Sequence, residues 1–417
     1  MAQGGIVVGL DLGTAKFCAV IAERDQAGTA EIIGVGVHPS EGLQRGVVVD
    51  VERAVQAIGK AVEEASLMAG VHVGAVYAGI AGEHLHGFDS HGLIAVGGVD
   101  QEISAAEKER VIETAQTVAQ VDSSREILHV LPQEFAVDEQ RGIRDPVGIN
   151  GVRLEVAIHL VTGSVTAAQN ICKSILRAGI EVKDIVFEPL AASYAVLEEE
   201  ERELGVCLLD IGAGTTGLAV FKQNSVRHTA VLGLGGQNAT NDLAVGLRTS
   251  VRHAERLKKE KGCVLEELVL EDDEIEVPGI GSLAPHRAQR HHLATVLGPR
   301  MEEILTLVRD ELERVGWNRK LDAGIVLTGG GSMLEGMVEL AEQVFRLPVR
   351  LGQPQGLPGL TEKVSSPEYA TAVGLVLYGA ADQAAAQGEV QLQVSAAQGG
   401  GLGTVVNRVR DWFDTLV

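Results

Sequence analysis

Two stretches of the chain carry the same order of apolar and polar positions. Ile6 to Ile21 is an apolar run, then Asp11, then a small turn of Gly13, Thr14, Ala15 and Lys16, then a second apolar run. Gly205 to Phe221 repeats it, with Asp210, a turn of Gly212, Ala213, Gly214 and Thr215, and Thr216 opening the second run. Strand, small turn, strand predicts a β-hairpin, and its recurrence predicts two related subdomains facing each other. Elsewhere the apolar period becomes helical. Val51, Ala54, Val55, Ile58, Val62 and Ala65 share one face of a helix over Val51 to Ala69. Ser104 to Val118 is another helix, opened by a capping box of Ser104 and Glu107. Strands at Leu93 to Val96, Glu126 to Val130, Glu134 to Val137 and Arg153 to Val161 give residues 84–162 a pattern of their own, that of an inserted subdomain. A second insertion, rich in helix and charge, runs from Phe221 to about Leu305. Gly324 to Met333 reads as a buried strand entering a Gly-rich turn that starts a helix.

The folded region is expected to end near Ala381. Residues 383–402, rich in Ala, Gln and Gly, read as a flexible linker, and roughly 20 such residues reach roughly 25 Å. Leu402, Val405, Val406, Val409, Trp412, Phe413, Leu416 and Val417 then recur at helical spacing. Asn407, Arg408, Arg410, Asp411 and Asp414 fall opposite. An amphipathic helix over 403–417 with Trp412 and Phe413 at its apolar edge suits a lipid interface; the alternative is a helix docked on the protein's own body.

Composition narrows the picture. A chain of 417 residues has room for about two to four domains. Its net charge of −22 opposes nucleic acid as a partner, because phosphates need a basic surface, and it opposes purely electrostatic docking on anionic lipid. Aromatic residues are 3%, so Val, Leu, Ile and Ala must fill the cores. Cys18, Cys172, Cys207 and Cys263 form no CxxC pair, which points to buried free thiols in a reducing compartment. No signal peptide is visible, and no apolar stretch reaches the roughly 18 to 20 residues of a spanning helix. The chain reads as soluble or peripheral.

The two hairpin turns are suited to a polyphosphate. Gly13, Thr14, Gly212, Gly214, Thr215 and Thr216 let backbone N–H groups come close, Thr hydroxyls add donors, and Lys16 can neutralise charge. Asp11 and Asp210 occupy equivalent points, where two carboxylates beside a triphosphate suit Mg²⁺ held mostly through its waters. Ordinary Gly-containing hairpins are the bland alternative, disfavoured by the duplication with matching Asp. Gly329, Gly330, Gly331 and Ser332 after the buried strand leave a flat surface for an adenine ring or ribose. His286, His291 and His292, on a polar stretch, read as exposed rather than metal-binding.

Hairpin, hairpin and Gly-rich turn in this order resemble the phosphate-1, phosphate-2 and adenosine motifs of the actin, Hsp70 and sugar-kinase superfamily. Within it the chain resembles the FtsA family along nearly its whole length. The stretches that carry the resemblance are Gly9 to Lys16, His129 to Phe135, Asp145 to Gly148, Gly205 to Gly212, Gly324 to Gly330 and Tyr369 to Gly374. It implies an α/β, actin-like two-lobed fold with ATP and Mg²⁺ in a central cleft. The implied layout is subdomain 1A at 1–83, 163–191 and 365–382, an inserted 1C at 84–162, 2A at 192–225 and 306–364, and 2B at 226–305. It further implies an actin-like filament, capture of the FtsZ C-terminal peptide, attachment to the inner face of the cytoplasmic membrane at midcell, contact with downstream division proteins, and at most slow hydrolysis.

By the same resemblance Glu188 orients the attacking water beside Asp210, the alternative being an acid favoured at a helix N-terminus. Gly236 counts among the nucleotide-binding residues, and Glu255 and Lys258 fall near ribose and adenine, the alternative being an exposed ion pair one helical turn apart. Arg300, expected to open a helix, aligns with Glu303 nearby to a basic residue that holds the FtsZ tail; a plain surface Arg is the alternative. Ala213 and Gly217 depart from the second phosphate loop, where the family usually has Gly and Asp, and bear on hydrolysis more than on binding. A sugar kinase would need a substrate pocket with a catalytic Asp, and a pilus-assembly ATPase lacks the linker and amphipathic tail.

Overall fold

The computed structural model describes residues 5–24, 29–97, 101–270, 272–280 and 284–395. The chain opens with β1 (Gly5–Leu12), β2 (Lys16–Arg24), β3 (Ala30–Pro39), a small β4–β5 pair (Leu43–Gln44, Val47–Val48), α1 (Val51–Ala69) and β6 (Ala75–Ile80). The inserted segment follows as β7 (His86–Ala95), α2 (Ala105–Val118), β8 (Arg125–Val137), β9 (Gln140–Ile143) and β10 (Arg153–Ser164). The chain returns through α3 (Val165–Arg177), β11 (Glu181–Phe187), α4 (Glu188–Val196) and α5 (Glu199–Leu204). The second lobe holds β12 (Val206–Ile211), β13 (Thr216–Lys222), β14 (Ser225–Leu232), α6 (Gly236–Gly246), α7 (Val251–Lys261), β15 (Glu274–Val277), β16 (His286–Gln289) and α8 (His291–Arg314). It closes with β17 (Gly324–Thr328), α9 (Met337–Phe345), β18 (Val349–Leu351), α10 (Thr361–Val364) and α11 (Ala370–Ser395).

The predicted duplication is a duplication of sheets. In lobe 1 the order is β3-β2-β1-β6-β11, with β1–β2 and β2–β3 antiparallel and β6 and β11 parallel additions. In lobe 2 the order β14-β13-β12-β17-β18 has the same senses. Both β1 and β12 are buried almost throughout, as expected of strands covered on two faces. α1 lies over β2 and β3, while α11 packs on β1 and α4. The inserted segment is a separate antiparallel sheet, β7-β10-β8-β9, with α2 across β7. Ile103, Val111, Phe135, Leu154, Val156 and Ile158 form its own small core. The capping box forms as read: the Ser104 hydroxyl accepts from the Glu107 N–H, and Glu107 accepts from the Ser104 N–H at 3.0 Å.

Six readings of the sequence change. Glu126 to Val130 and Glu134 to Val137 are one strand, β8, despite Pro132. β9 pairs with β8 only from Phe135 onward, and the β8–β10 register skips Gln133, so the proline sits at an open edge beside a bulge, where a missing N–H costs little. Arg300 does not open a helix: α8 begins at His291 and carries Pro299 inside. Leu293, Leu297, Met301 and Ile304 bury that face in the lobe-2 core, which offsets the one backbone hydrogen bond Pro299 cannot donate. The Gly-rich turn leads only to a 3-10 turn, Gly330–Met333, and α9 starts at Met337. α4 crosses the drawn boundary at 191 and α8 that at 305, because each is a single helix with its face in one core. β14 belongs to the lobe-2 sheet, so that sheet extends past Lys222 into the predicted 2B segment. Finally, residues 383–395 continue α11 instead of beginning a linker; Ala and Gln are good helix formers. The rest of that linker, and the whole of the amphipathic segment from Leu402 through Val417, lie outside the described residues. All four cysteines are buried and unpaired, and among the described residues no helix is long and apolar enough to cross a membrane.

Candidate functional site

The two hairpins place their turns against each other. A Cβ on Gly214 would lie 2.6 Å from the Thr14 hydroxyl oxygen, so the turns meet at a contact only glycine permits. Hairpin geometry forces Asp11 and Asp210 to the last turns of β1 and β12: Asp11 pairs with Cys18, Asp210 with Gly217. Gly329 comes in from β17 with φ +81°, and any side chain there would strike Asp210, since a Cβ would sit 2.3 Å from its Oδ1. The three segments enclose a cavity of about 320 Å³ between the lobes.

Most of the expected residues line it. Asp11, Gly13, Thr14, Ala15 and Lys16 of the first hairpin and Asp210, Gly212, Gly214 and Thr215 of the second line it, together with Glu188, Gly236, Glu255, Lys258, Gly329, Gly330 and Gly331; Gly236 donates its N–H to the Gly212 carbonyl at 2.9 Å. Two do not face the cavity. Thr216 is fully buried and its hydroxyl donates to the Leu234 carbonyl at 2.9 Å. Ser332 is buried, and its hydroxyl donates to the Gly329 carbonyl at 2.7 Å, which fixes the 3-10 turn.

Three of the lining side chains are carboxyls that influence one another. Burial, then Asp210, push the Asp11 carboxyl up to about 7, with Lys16 pulling the other way. Burial, then Asp11 and Asp210, hold Glu188 well above the usual carboxylate range. Burial also raises Asp210, which the hydroxyl of Thr371 counters by donating to its Oδ2 at 3.0 Å. Glu255 and Lys258 form an ion pair at 2.8 Å, one that is largely buried instead of exposed, and both line the cavity. The Lys258 ammonium is buried and also donates to the Gly236 carbonyl at 2.9 Å and to Thr240 at 2.7 Å. Lys16 is already engaged: its ammonium meets Glu368 at 2.8 Å and lies 3.5 Å over the ring of Tyr369.

The sequence reading missed Glu368, Thr371, Lys259, Met333, Leu334 and Gly46, all on the cavity wall. Glu368 precedes and Thr371 lies within the stretch Tyr369 to Gly374, one of those that carry the family resemblance. Gly46 gave no signal. Arg300 and Glu303 lie away from the cavity: the Arg300 guanidinium donates to Asp242 on α6 at 2.5 Å and pairs with Glu303 one turn along α8. His291 pairs with Glu266 at 2.9 Å, and among the described residues no group of three or more His, Cys, Asp or Glu closes on a metal position.

Residues 207–374 match the family profile described as Cell division protein FtsA, and residues 82–162 match that of the SHS2 domain inserted in FTSA. The Cell division protein FtsA of Pseudomonas aeruginosa is 47% identical over 377 residues, 90% of each chain. That of Escherichia coli K12 is 40% identical over 415 residues, 98% of this chain and 97% of its own. The chain belongs to the FtsA family of cell division proteins. The SHS2 match coincides with the inserted sheet, so the FtsA-type insertion is the β7–β10 unit. Among solved structures, the PilM-PilN type IV pilus biogenesis complex superposes with a TM-score of 0.65 at 18% identity, over 90% of this chain and 98% of its own. MreB5 of Spiroplasma citri, bound to ADP, gives 0.54 at 15% identity, over 92% and 98%. At these identities they share the actin-like fold with the FtsA-family chain, and the sequence match separates it from the pilus protein.

Proposed function

We propose that this FtsA-family chain binds ATP with Mg²⁺ between its two hairpins, assembles through its actin-like body and tethers FtsZ filaments to the inner face of the cytoplasmic membrane, where it helps build the septal machinery. One observation carries the nucleotide reading: two glycine-tight turns bring Asp11 and Asp210 into a single cavity that the Gly329–Gly331 turn and the Lys258–Glu255 pair also line. Structural neighbours of the same fold have been solved with ADP and AMPPNP.

The residues fit the metal. Three carboxyls, all raised by burial and two of them, Asp11 and Glu188, further by their acidic neighbours, form an acidic pocket, and Mg²⁺ needs only one or two carboxylates when phosphates and water complete its shell. Asp11 and Asp210 would hold it, and once bound it would neutralise phosphate charge. The N–H groups of Gly13 to Lys16 and Gly212 to Thr215 would cradle the phosphates. Glu188 would orient a water for slow turnover. The layout of subdomains 1A, 1C, 2A and 2B stands within this proposal, with α4, α8 and β14 crossing the drawn boundaries. So do Arg300 as the contact for the FtsZ C-terminal peptide and the segment 403–417 as the membrane helix. Calorimetry of Mg-ATP tests the core of it: Asp210→Ala should weaken Mg²⁺-dependent binding roughly tenfold or more, and unchanged affinity would overturn the assignment.

A further inference from the structure

Glu188 stands at a corner gripped from the inserted subdomain. β11 ends at Phe187 and α4 starts at Glu188, and no side chain caps the helix. The N–H of Phe187 instead donates to Nε2 of His129 on β8, at 2.9 Å. His129 is buried, and burial pushes its imidazole down to about 4, so near neutral pH it is uncharged, protonated on Nδ1 and accepting at Nε2.

The other two sides of the corner are tight. A Cβ on Gly79 of β6 would lie 3.2 Å from Cγ of Glu188, and one on Gly217 of β13 would lie 2.5 Å from Cγ of Pro189. Gly217 therefore cannot carry the family's usual Asp without displacing Pro189. A lobe-1 strand, a lobe-2 strand and one histidine of the insertion meet at residues 187–189. Of these three contacts only the histidine is a hydrogen bond, and only it belongs to the inserted sheet.

We propose that His129 is a positioning residue: it holds the Phe187–Glu188 corner so that the Glu188 carboxylate stands at the reacting end of the cleft, and it ties ATP turnover to the seating of the inserted subdomain. This rests on the reading of the cleft as an ATP site with Glu188 as the water-orienting group. Without the acceptor the Phe187 N–H is left unpaired in a buried corner and the corner relaxes to pair it. A shift of about 1 Å in a positioning group costs roughly 10- to 100-fold in turnover, while the phosphate-binding turns stay in place and affinity is kept.

The experiment measures ATP turnover, Mg-ATP affinity and thermal midpoint for the full chain and for His129→Phe, His129→Asn, His129→Gln and Glu188→Gln. His129→Phe should bind Mg-ATP like the parent and turn it over roughly tenfold or more slowly. His129→Gln places a carbonyl oxygen near the Nε2 position and should recover most of the rate, whereas the shorter His129→Asn should not. Glu188→Gln should be at least as slow as His129→Phe. If Glu188→Gln turns over ATP at the parental rate, or the parent shows no turnover, the reading of Glu188 fails and takes the inference with it. If Glu188→Gln is slow but His129→Phe is not, the inference alone is overturned. Parallel loss of affinity and rate without rescue by Gln would mean that His129 only packs the fold. Should the Phe variant not fold, equal rates for Asn and Gln overturn the proposal and a fast Gln with a slow Asn supports it.

Discussion

Asp11→Asn tests whether the cleft, free of nucleotide, carries an uncompensated negative cluster. The Asp11 carboxyl ionises near 3.8 in an unfolded chain and at about 7 in the folded one, because it is buried beside Asp210. Between about pH 4 and pH 7 the folded state therefore holds a proton that the unfolded state has released. Stability from this group is fully present below pH 4 and is lost as pH rises through the folded value. Roughly 3 pH units at about 1.4 kcal/mol each give a loss of ~4 kcal/mol. Asn has no charge to bury, so the variant should exceed the parent above pH 7 by up to that amount and match it near pH 4. An unfolding entropy of about 2.1 cal/mol/K per residue over 417 residues converts ~4 kcal/mol into a midpoint shift of roughly 4 to 5 °C. Scanning calorimetry in chelator, at pH 5, 6.5 and 8, reads it directly. An Asn midpoint at or below the parent's at pH 8, or an offset that does not shrink toward pH 5, would refute the reasoning. Saturating Mg-ATP should reverse the order, because the parent gains binding free energy that the variant lacks.

Arg300→Glu removes a guanidinium held by Asp242 and Glu303 and leaves three carboxylates together; binding of an FtsZ C-terminal peptide, read by fluorescence anisotropy, should weaken roughly tenfold or more. An undiminished signal excludes that contact. Removing residues 403–417, or Trp412→Glu, should release the chain from vesicles in a pelleting assay, with moderate salt doing little, because Arg408 and Arg410 are balanced by Asp411 and Asp414. One such helix binds weakly and several on one filament bind firmly, so ATP and FtsZ should increase pelleting; ready stripping by salt with Trp412→Glu still bound would contradict an apolar anchor. Ser104→Ala removes one half of the capping box and should cost about 1 kcal/mol, visible as faster amide exchange in the first turn of α2 without change in Mg-ATP affinity.

What the sequence determined by itself was local and repeated. The hairpins around Asp11 and Asp210, the helix over Val51–Ala69 and the capped helix after Ser104 each follow from period and turn chemistry within a few residues, so neighbours along the chain suffice to specify them. The duplication of Asp with a small turn carried the cleft, because a turn that admits phosphate needs the same small residues wherever it occurs. Tertiary structure decided what depends on distant neighbours. Pro132 lies within a strand because the pairing of β8 with β9 starts only at Phe135, and Pro299 lies inside α8 because the lobe-2 core holds the helix on either side of it. Thr216 and Ser332 look like ligand donors in sequence, yet each spends its hydroxyl on a backbone carbonyl brought near by folding. Glu368 and Thr371 reach the cleft only because the start of α11 is folded against both hairpins. His129 and Phe187 are far apart in sequence, and no local pattern announces the hydrogen bond that joins the inserted sheet to the corner bearing Glu188. Periodicity reports which face of an element is buried; it carries no information about which other element buries it, and at this cleft that second question sets the chemistry.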